Sequence, residues 1–111
     1  MDMENKVRQI RELVEAKREK FARVSDEVWA VPELYFHETK SAAILIKALK
    51  EEGFEVQEGV DGIPTAFIGT WGSGKPVIGI LGEFDALPSL SQEAGCWEHK
   101  EIVKGGPGHG C

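Results

Sequence analysis

An α/β fold is predicted on three observations. A charged stretch near the start carries apolar residues at helical spacing, a second such stretch follows, and short runs of β-forming residues then alternate with glycine-rich turns. A chain of 111 residues has room for these elements in one domain around one core. The strand signals grow nearly continuous in apolar character, the pattern of a sheet covered on both faces.

Val7, Ile10, Val14, Phe21, Val24, Val28 and Val31 recur at helical spacing with charges between them. This predicts one long amphipathic helix from Asn5 to Ala30. Lys17 stands where the stripe calls for an apolar residue, and with Ser25 and Asp26 it favours a helix lying on a core over a coiled coil. Pro32 ends the helix, because a residue before proline avoids helical geometry. "HETKSAAILIKALKEEG" predicts a second helix from Glu38 to Glu52. Thr39 or a neighbour caps it, Ala42, Leu45 and Leu49 share a face, and Gly53 supplies a left-handed stop. Three strands follow, at Phe54–Val56, Thr65–Thr70 and Pro76–Gly82, the last being the most apolar. Trp71-Gly-Ser-Gly-Lys75 is the turn expected to join the second and third. It lacks the spacing of a phosphate-binding loop, and no helix follows it. From Ser89 to Cys111 no period persists, and an irregular stretch of that length is either functional or disordered.

Charge narrows the partners. The net charge is −6. Met1–Val31 is balanced, with seven basic and seven acidic side chains, so the whole acidic surplus lies beyond it. That disfavours nucleic acid as a partner, and a membrane surface for the same reason. No apolar run approaches the roughly 18 residues of a spanning helix. The opening "MDMENKVRQIREL" has no apolar core of a secretory signal, so a cytoplasmic location is expected. Cys96 and Cys111 in such a chain suggest thiols or ligands rather than a disulfide framework. They are not in a Cys-x-x-Cys arrangement and nothing nearby depresses a thiol pKa, which leaves a redox role without support.

Two clusters could carry chemistry. Glu83-Phe84-Asp85 follows the most apolar run, and ligands of open α/β sheets bind at the carboxyl ends of strands. Alternation places Glu83 and Asp85 on one side and Phe84 on the other. Position alone leaves open whether the pair binds a ligand or only solvates a strand end. The second cluster is "GGPGHGC", Gly105 to Cys111. Thiolate and imidazole bind zinc, manganese and related ions, but several donors are needed per ion. On residue types alone the stretch reads as a flexible glycine-rich tail with an incidental thiol. His37 and His99 add little, one at a helix entry and the other in a polar loop.

"GEFDALPSLSQEAGC" at Gly82–Cys96, followed by "GPGHGC", resembles the M20 family of metallopeptidases and amidohydrolases. "VWAVPELYFHETKSA" at Val28–Ala42, "GFEV" at Gly53–Val56 and "GIPTAFIGTWGSGKPVIGILG" at Gly62–Gly82 extend the resemblance, in order, over essentially the whole chain. It implies that residues 1–111 are an incomplete N-terminal portion of a catalytic domain with a covered mixed sheet. Residues 89–111 would form an active-site loop segment.

Carried over position by position, Glu83 stands where the family's His-x-Asp motif has its His, a replacement usual in the amidohydrolase branch. Asp85 stands at the Asp, which orients a metal ligand and tunes its basicity. Cys111 stands at the metal-bridging position, and His109 is implied to shape the loop rather than bind metal. At position 37 the family often has Glu.

The implied cofactor is a pair of divalent ions, zinc or manganese, that activates a water and polarises an amide carbonyl. A Glu later in the family's chain takes the proton. The implied partners are a small-molecule amide substrate, of N-acyl amino acid or p-aminobenzoyl-glutamate type, and other subunits in a homo- or hetero-oligomer. Family members run several times longer, so this chain is expected to be a fragment, inactive alone. The alternative is a non-catalytic truncated module that interacts with a full-length relative. The halt inside a motif favours the fragment. Either way, an apolar edge such as "PVIGILG" is an aggregation hazard unless another chain covers it.

Overall fold

The computed structural model describes residues 2–111. Asp2 opens the first helix, its carboxylate accepting the Asn5 amide at 2.7 Å. α1 spans Met3–Ala16 and α2 spans Arg18–Trp29, so the single helix expected from Asn5 to Ala30 is two. The break falls at Lys17, the residue that interrupts the apolar stripe. There the backbone leaves helical geometry (φ −106°, ψ 1°), and the ammonium turns to Glu52, just past the end of the third helix. Lys20 reaches the same place, 2.8 Å from a Glu52 oxygen and 3.1 Å from Glu51. Hydrogen bonds from Lys17, then Lys20, hold the Glu52 carboxyl below its ordinary pKa, while Glu52 and Glu51 raise that of Lys20.

α2 thus lies against α3, whereas α1 projects. Ile10, Leu13 and Val14 are 60–65% exposed, and no α1 residue is buried. Amphipathic spacing made α1 a helix, but among the described residues nothing buries its apolar stripe.

α3 spans Thr39–Glu51, within a residue of the expected bounds at each end. Gly53 ends it at φ +86°, a conformation that costs glycine nothing and other residues about 1 kcal/mol or more. The cap at its start was not expected. Neither Glu38, at the capping position, nor Thr39 closes the first turn; that role falls to Glu33, described below.

β1, Glu55–Glu58, pairs antiparallel with β2, Phe67–Thr70, with Val56 opposite Gly69 and Gln57 opposite Ile68. Two expected strands therefore form, but they pair with each other. The turn Trp71–Lys75 does not fold Pro76–Gly82 back onto β2, and no strand forms there. Val77, Ile78, Ile80 and Leu81 are 82–94% exposed. Strand propensity does not suffice where backbone N–H and C=O groups find no neighbouring ladder.

α3 covers one face of the β1–β2 pair, as shown by the approach of Leu49 to within 2.9 Å of the position a Cβ on Gly69 would take. Ile68, on the alternate face, is half exposed. The cover expected on both faces is thus present on one.

The architecture is α/β, as predicted, yet little of it is interior. Among the described residues the buried apolar side chains are Ala42, Ala48 and Ala86. The accessible surface is 9078 Å², against about 6,100 Å² for a compact monomer of this mass. The radius of gyration is 17.0 Å, against about 13 Å for a compact domain of this length.

Candidate functional site

The segment carrying Glu83 and Asp85 is pinned on three sides. The Phe84 ring packs against Phe67 of β2, with centroids 5.6 Å apart and planes tilted by 37°. Ala86 is fully buried, pairs in parallel with Leu34, and donates its amide to the Glu33 carbonyl at 2.8 Å. Leu87 exchanges two backbone hydrogen bonds with Gly108, at 3.1 and 3.0 Å. Between these anchors Asp85 is half-buried, while Glu83 is exposed.

The Leu87–Gly108 pairing starts a longer lacing. The Ser91 amide donates to the Gly106 carbonyl at 3.1 Å, and the Gly110 amide to the Leu90 carbonyl at 3.2 Å. The Ser91 hydroxyl accepts the Val103 amide at 3.0 Å. Farther in, Glu93 donates to the Lys100 carbonyl at 2.8 Å. Gln92 spans the inner loop, donating to the Glu98 carbonyl at 2.8 Å and accepting from Lys100 at 3.1 Å. Residues 89–111 are therefore a loop tied to itself at several points, and these bonds lay Gly106–Gly110 alongside Leu87–Ser91.

This pairing explains two of the glycines, Gly108 and Gly110. A Cβ on Gly108 would lie 2.1 Å from the Leu90 carbonyl oxygen, and one on Gly110 would lie 2.7 Å from it. No side chain fits at the first position without moving backbone. Gly108 and Gly110 thus provide clearance, whereas Gly105 lies in open space at φ +65°.

The candidate residues fall into two places. Asp85 and Glu83 stand at the start of the laced segment, and His109 and Cys111 on its returning arm. His109 lies between the two clearance glycines, its Nε2 buried with no hydrogen-bond partner among the described residues. Cys111 is a free, exposed thiol, and Cys96 is half-buried in the inner loop. His37 and His99 are exposed. Carboxylate, thiolate and imidazole are suitable donors for zinc or manganese. Among the described residues, however, no three His, Cys, Asp or Glu side chains gather at one point, so these residues do not by themselves fit a bound ion.

Sequence reasoning missed Glu33. Its carboxylate accepts the Ser41 amide at 2.8 Å, the Ser41 hydroxyl at 2.9 Å, the Lys40 amide at 3.2 Å and the Thr39 hydroxyl at 3.4 Å. Burial pushes its pKa up, but the hydrogen bonds from Ser41, Lys40 and Thr39 outweigh burial and bring it below the ordinary value. An acid just after Pro32 and upstream of a helix start was the available signal. Capping by a residue this far from the first turn lies outside the usual local patterns.

No protein-family profile matches the chain. Three curated proteins do. It is 45% identical over 109 residues to one subunit of the p-aminobenzoyl-glutamate hydrolase of Escherichia coli K12, covering 98% of this chain and 23% of that protein. It is 32% identical over 105 residues to thermostable carboxypeptidase 1 of Saccharolobus solfataricus, covering 93% of this chain and 24% of that protein. Thermostable carboxypeptidase 2 of the same organism is 37% identical over 76 residues, 67% of this chain and 19% of that protein. The chain spans about a quarter or less of the length of these relatives. The chain is thus similar to a component of one hydrolase and to two carboxypeptidases, in the first case along almost the whole of its own length.

Proposed function

We propose that the chain contributes part of the catalytic domain of a metal-dependent amidohydrolase, acting on an N-acyl amino acid or an amide of the p-aminobenzoyl-glutamate type. The observation that carries this reading is the Leu87–Gly108 pairing. It sets the acid-bearing segment and the segment ending in Cys111 side by side, although they are more than 20 residues apart in the sequence.

In this reading Cys111 offers a thiolate donor to a divalent metal. Asp85, held between two anchored neighbours, accepts a hydrogen bond that orients a metal ligand. Glu83 is exposed beside it as a further carboxylate, and His109 keeps the shape of the returning arm. Donors from outside the described residues are needed to close a metal site, so the chain alone does not hydrolyse amides.

The open stripe of α1 and the exposed run Val77–Leu81 fit the same proposal. The surface exceeds that of a compact monomer by about 3,000 Å², enough to be covered by further sequence or by another protein chain. The E. coli relative is named as one subunit of its hydrolase, which favours a hetero-oligomer.

Exchanging this chain for the matching residues of that relative tests the reading. The chimera, assayed with the other components of the E. coli hydrolase, is expected to hydrolyse p-aminobenzoyl-glutamate in the presence of manganese or zinc. Cys111→Ala is expected to lower that activity by roughly 100-fold or more, a loss of the size seen when metal sites are perturbed. A folded but inactive chimera, or one indifferent to Cys111→Ala, would contradict it. Amide turnover by the isolated 111-residue chain, lost on replacing Cys111, would overturn the claim that the chain alone is inactive.

A further inference from the structure

We infer that Glu33 is the positioning residue for Asp85. One residue holds both sides of the junction. Its carboxylate gathers the first-turn donors of α3, the Ser41 and Lys40 amides with the Ser41 and Thr39 hydroxyls. Its backbone carbonyl takes the amide of Ala86, next to Asp85, at 2.8 Å. Displacement of Glu33 from the α3 start therefore displaces the acceptor that anchors Ala86.

The surroundings leave little slack. Ser41 and Ala86 are both 0% exposed, and Leu34 pairs with Ala86. Pro32 restricts the backbone immediately before Glu33. A cap supplied from the first turn itself would fix only the helix. A cap supplied from Glu33 fixes the helix and the acid-bearing segment together, which gives the side chain a purpose a local Ser or Asp would not serve. The importance of Asp85 rests on the proposed amidohydrolase reading, but the mechanical link from Glu33 to Ala86 does not.

Amide hydrogen exchange on the full chain, with Glu33→Ala and Glu33→Gln, tests the link. In Glu33→Ala, protection at Ser41, Lys40 and Ala86 is expected to fall together by at least roughly fivefold, the size of a lost helix cap. The bonded amides of β1 and β2 should keep theirs. Glu33→Gln retains an acceptor for Ser41 but puts an NH2 group before Lys40, and is expected to restore part of the protection at Ser41 and Ala86 only. The Asp85 carboxyl carbon resonance should shift in the Ala variant and return toward its original position in the Gln variant. Loss at Ser41 and Lys40 with Ala86 unchanged in either variant would overturn the inference, as would an unprotected Ala86 in the unsubstituted chain. If Glu33→Ala also strips β1 and β2, Glu33→Gln decides by the same criterion. Should the link hold while the chimera proves inactive, the amidohydrolase reading fails and the positioning role of Glu33 stands.

Discussion

Two neighbouring segments reverse what their composition suggests. Pro76–Gly82 is the most apolar stretch of the chain, yet it forms no strand and exposes Val77, Ile78, Ile80 and Leu81 almost completely. Ser89–Cys111 is rich in glycine and polar residues, yet its ends are laced together through Ser91–Gly106 and Leu90–Gly110, with Gly108 also paired to Leu87 just before it. The difference lies in where each finds partners for its backbone. A strand needs a neighbour that must come from elsewhere, and β2 is already paired with β1 on one side. A loop that doubles back supplies its own neighbour, provided its residues are small enough to let the two arms meet.

Glycine substitutions probe that contrast with the largest expected effect. Gly108→Ala drives a Cβ into the Leu90 carbonyl and is expected to destabilise the lacing by roughly 3 kcal/mol, the upper range for overpacking. Gly79→Ala, in the apolar run, meets nothing within 4 Å and is expected to stay within about 0.5 kcal/mol of the parent. Urea denaturation of both variants gives the comparison directly. Equal effects would mean that the two segments do not differ in packing.

Charge placed on the apolar run should have a smaller effect, and on association rather than folding. Ile80 is 94% exposed, so Ile80→Lys removes almost no buried contact. It is expected to leave the unfolding midpoint nearly unchanged while reducing self-association in sedimentation or light scattering. A destabilisation comparable to a buried Ile substitution, about 2 kcal/mol or more, would show that the run is covered within this chain.

Acid should loosen the anchored side gradually and leave the run indifferent. The Glu33 carboxyl is held below its unfolded value by its hydrogen bonds. Its contribution is therefore fully present above the unfolded carboxylate pKa of about 4.3. It is lost as pH falls through the lower folded value. Protection at Ser41 and Ala86, followed down in pH, should decline in that window in the parent, with the corresponding step absent in Glu33→Gln. The same decline in Glu33→Gln would place the titrating group elsewhere.

The local elements were legible in the sequence because their causes are local. The 3/4 spacing and Gly53 placed α3 within a residue, and β2 lies inside the expected Thr65–Thr70, whereas β1 shares only Glu55 and Val56 with the expected Phe54–Val56. Pairing was not legible. The Trp71–Lys75 turn pointed to β2 as the partner of Pro76–Gly82, whereas β2 pairs with β1. Lys17 is visible in the sequence as a flaw in the helical stripe, but its bond to Glu52, 35 residues away, is not, and without that bond nothing in the spacing separates α1 from α2.

For the candidate site, the motifs named Asp85, Glu83, His109 and Cys111. Only the fold shows that Leu87 and Gly108 bring the two motif segments together. Glu33 escaped because its action joins α3 to Ala86 across the chain, and no local spacing encodes that.

Amide exchange of the parent chain, read at four positions, separates the two segments most directly. Ala86 and Gly108 donate to carbonyls of other segments and should exchange slowly, whereas Ile78 and Ile80, exposed in a run without secondary structure, should exchange near the rate of an unstructured peptide. Slow exchange at Ile78 and Ile80, with fast exchange at Ala86 and Gly108, would contradict both the laced site and the unpaired apolar run.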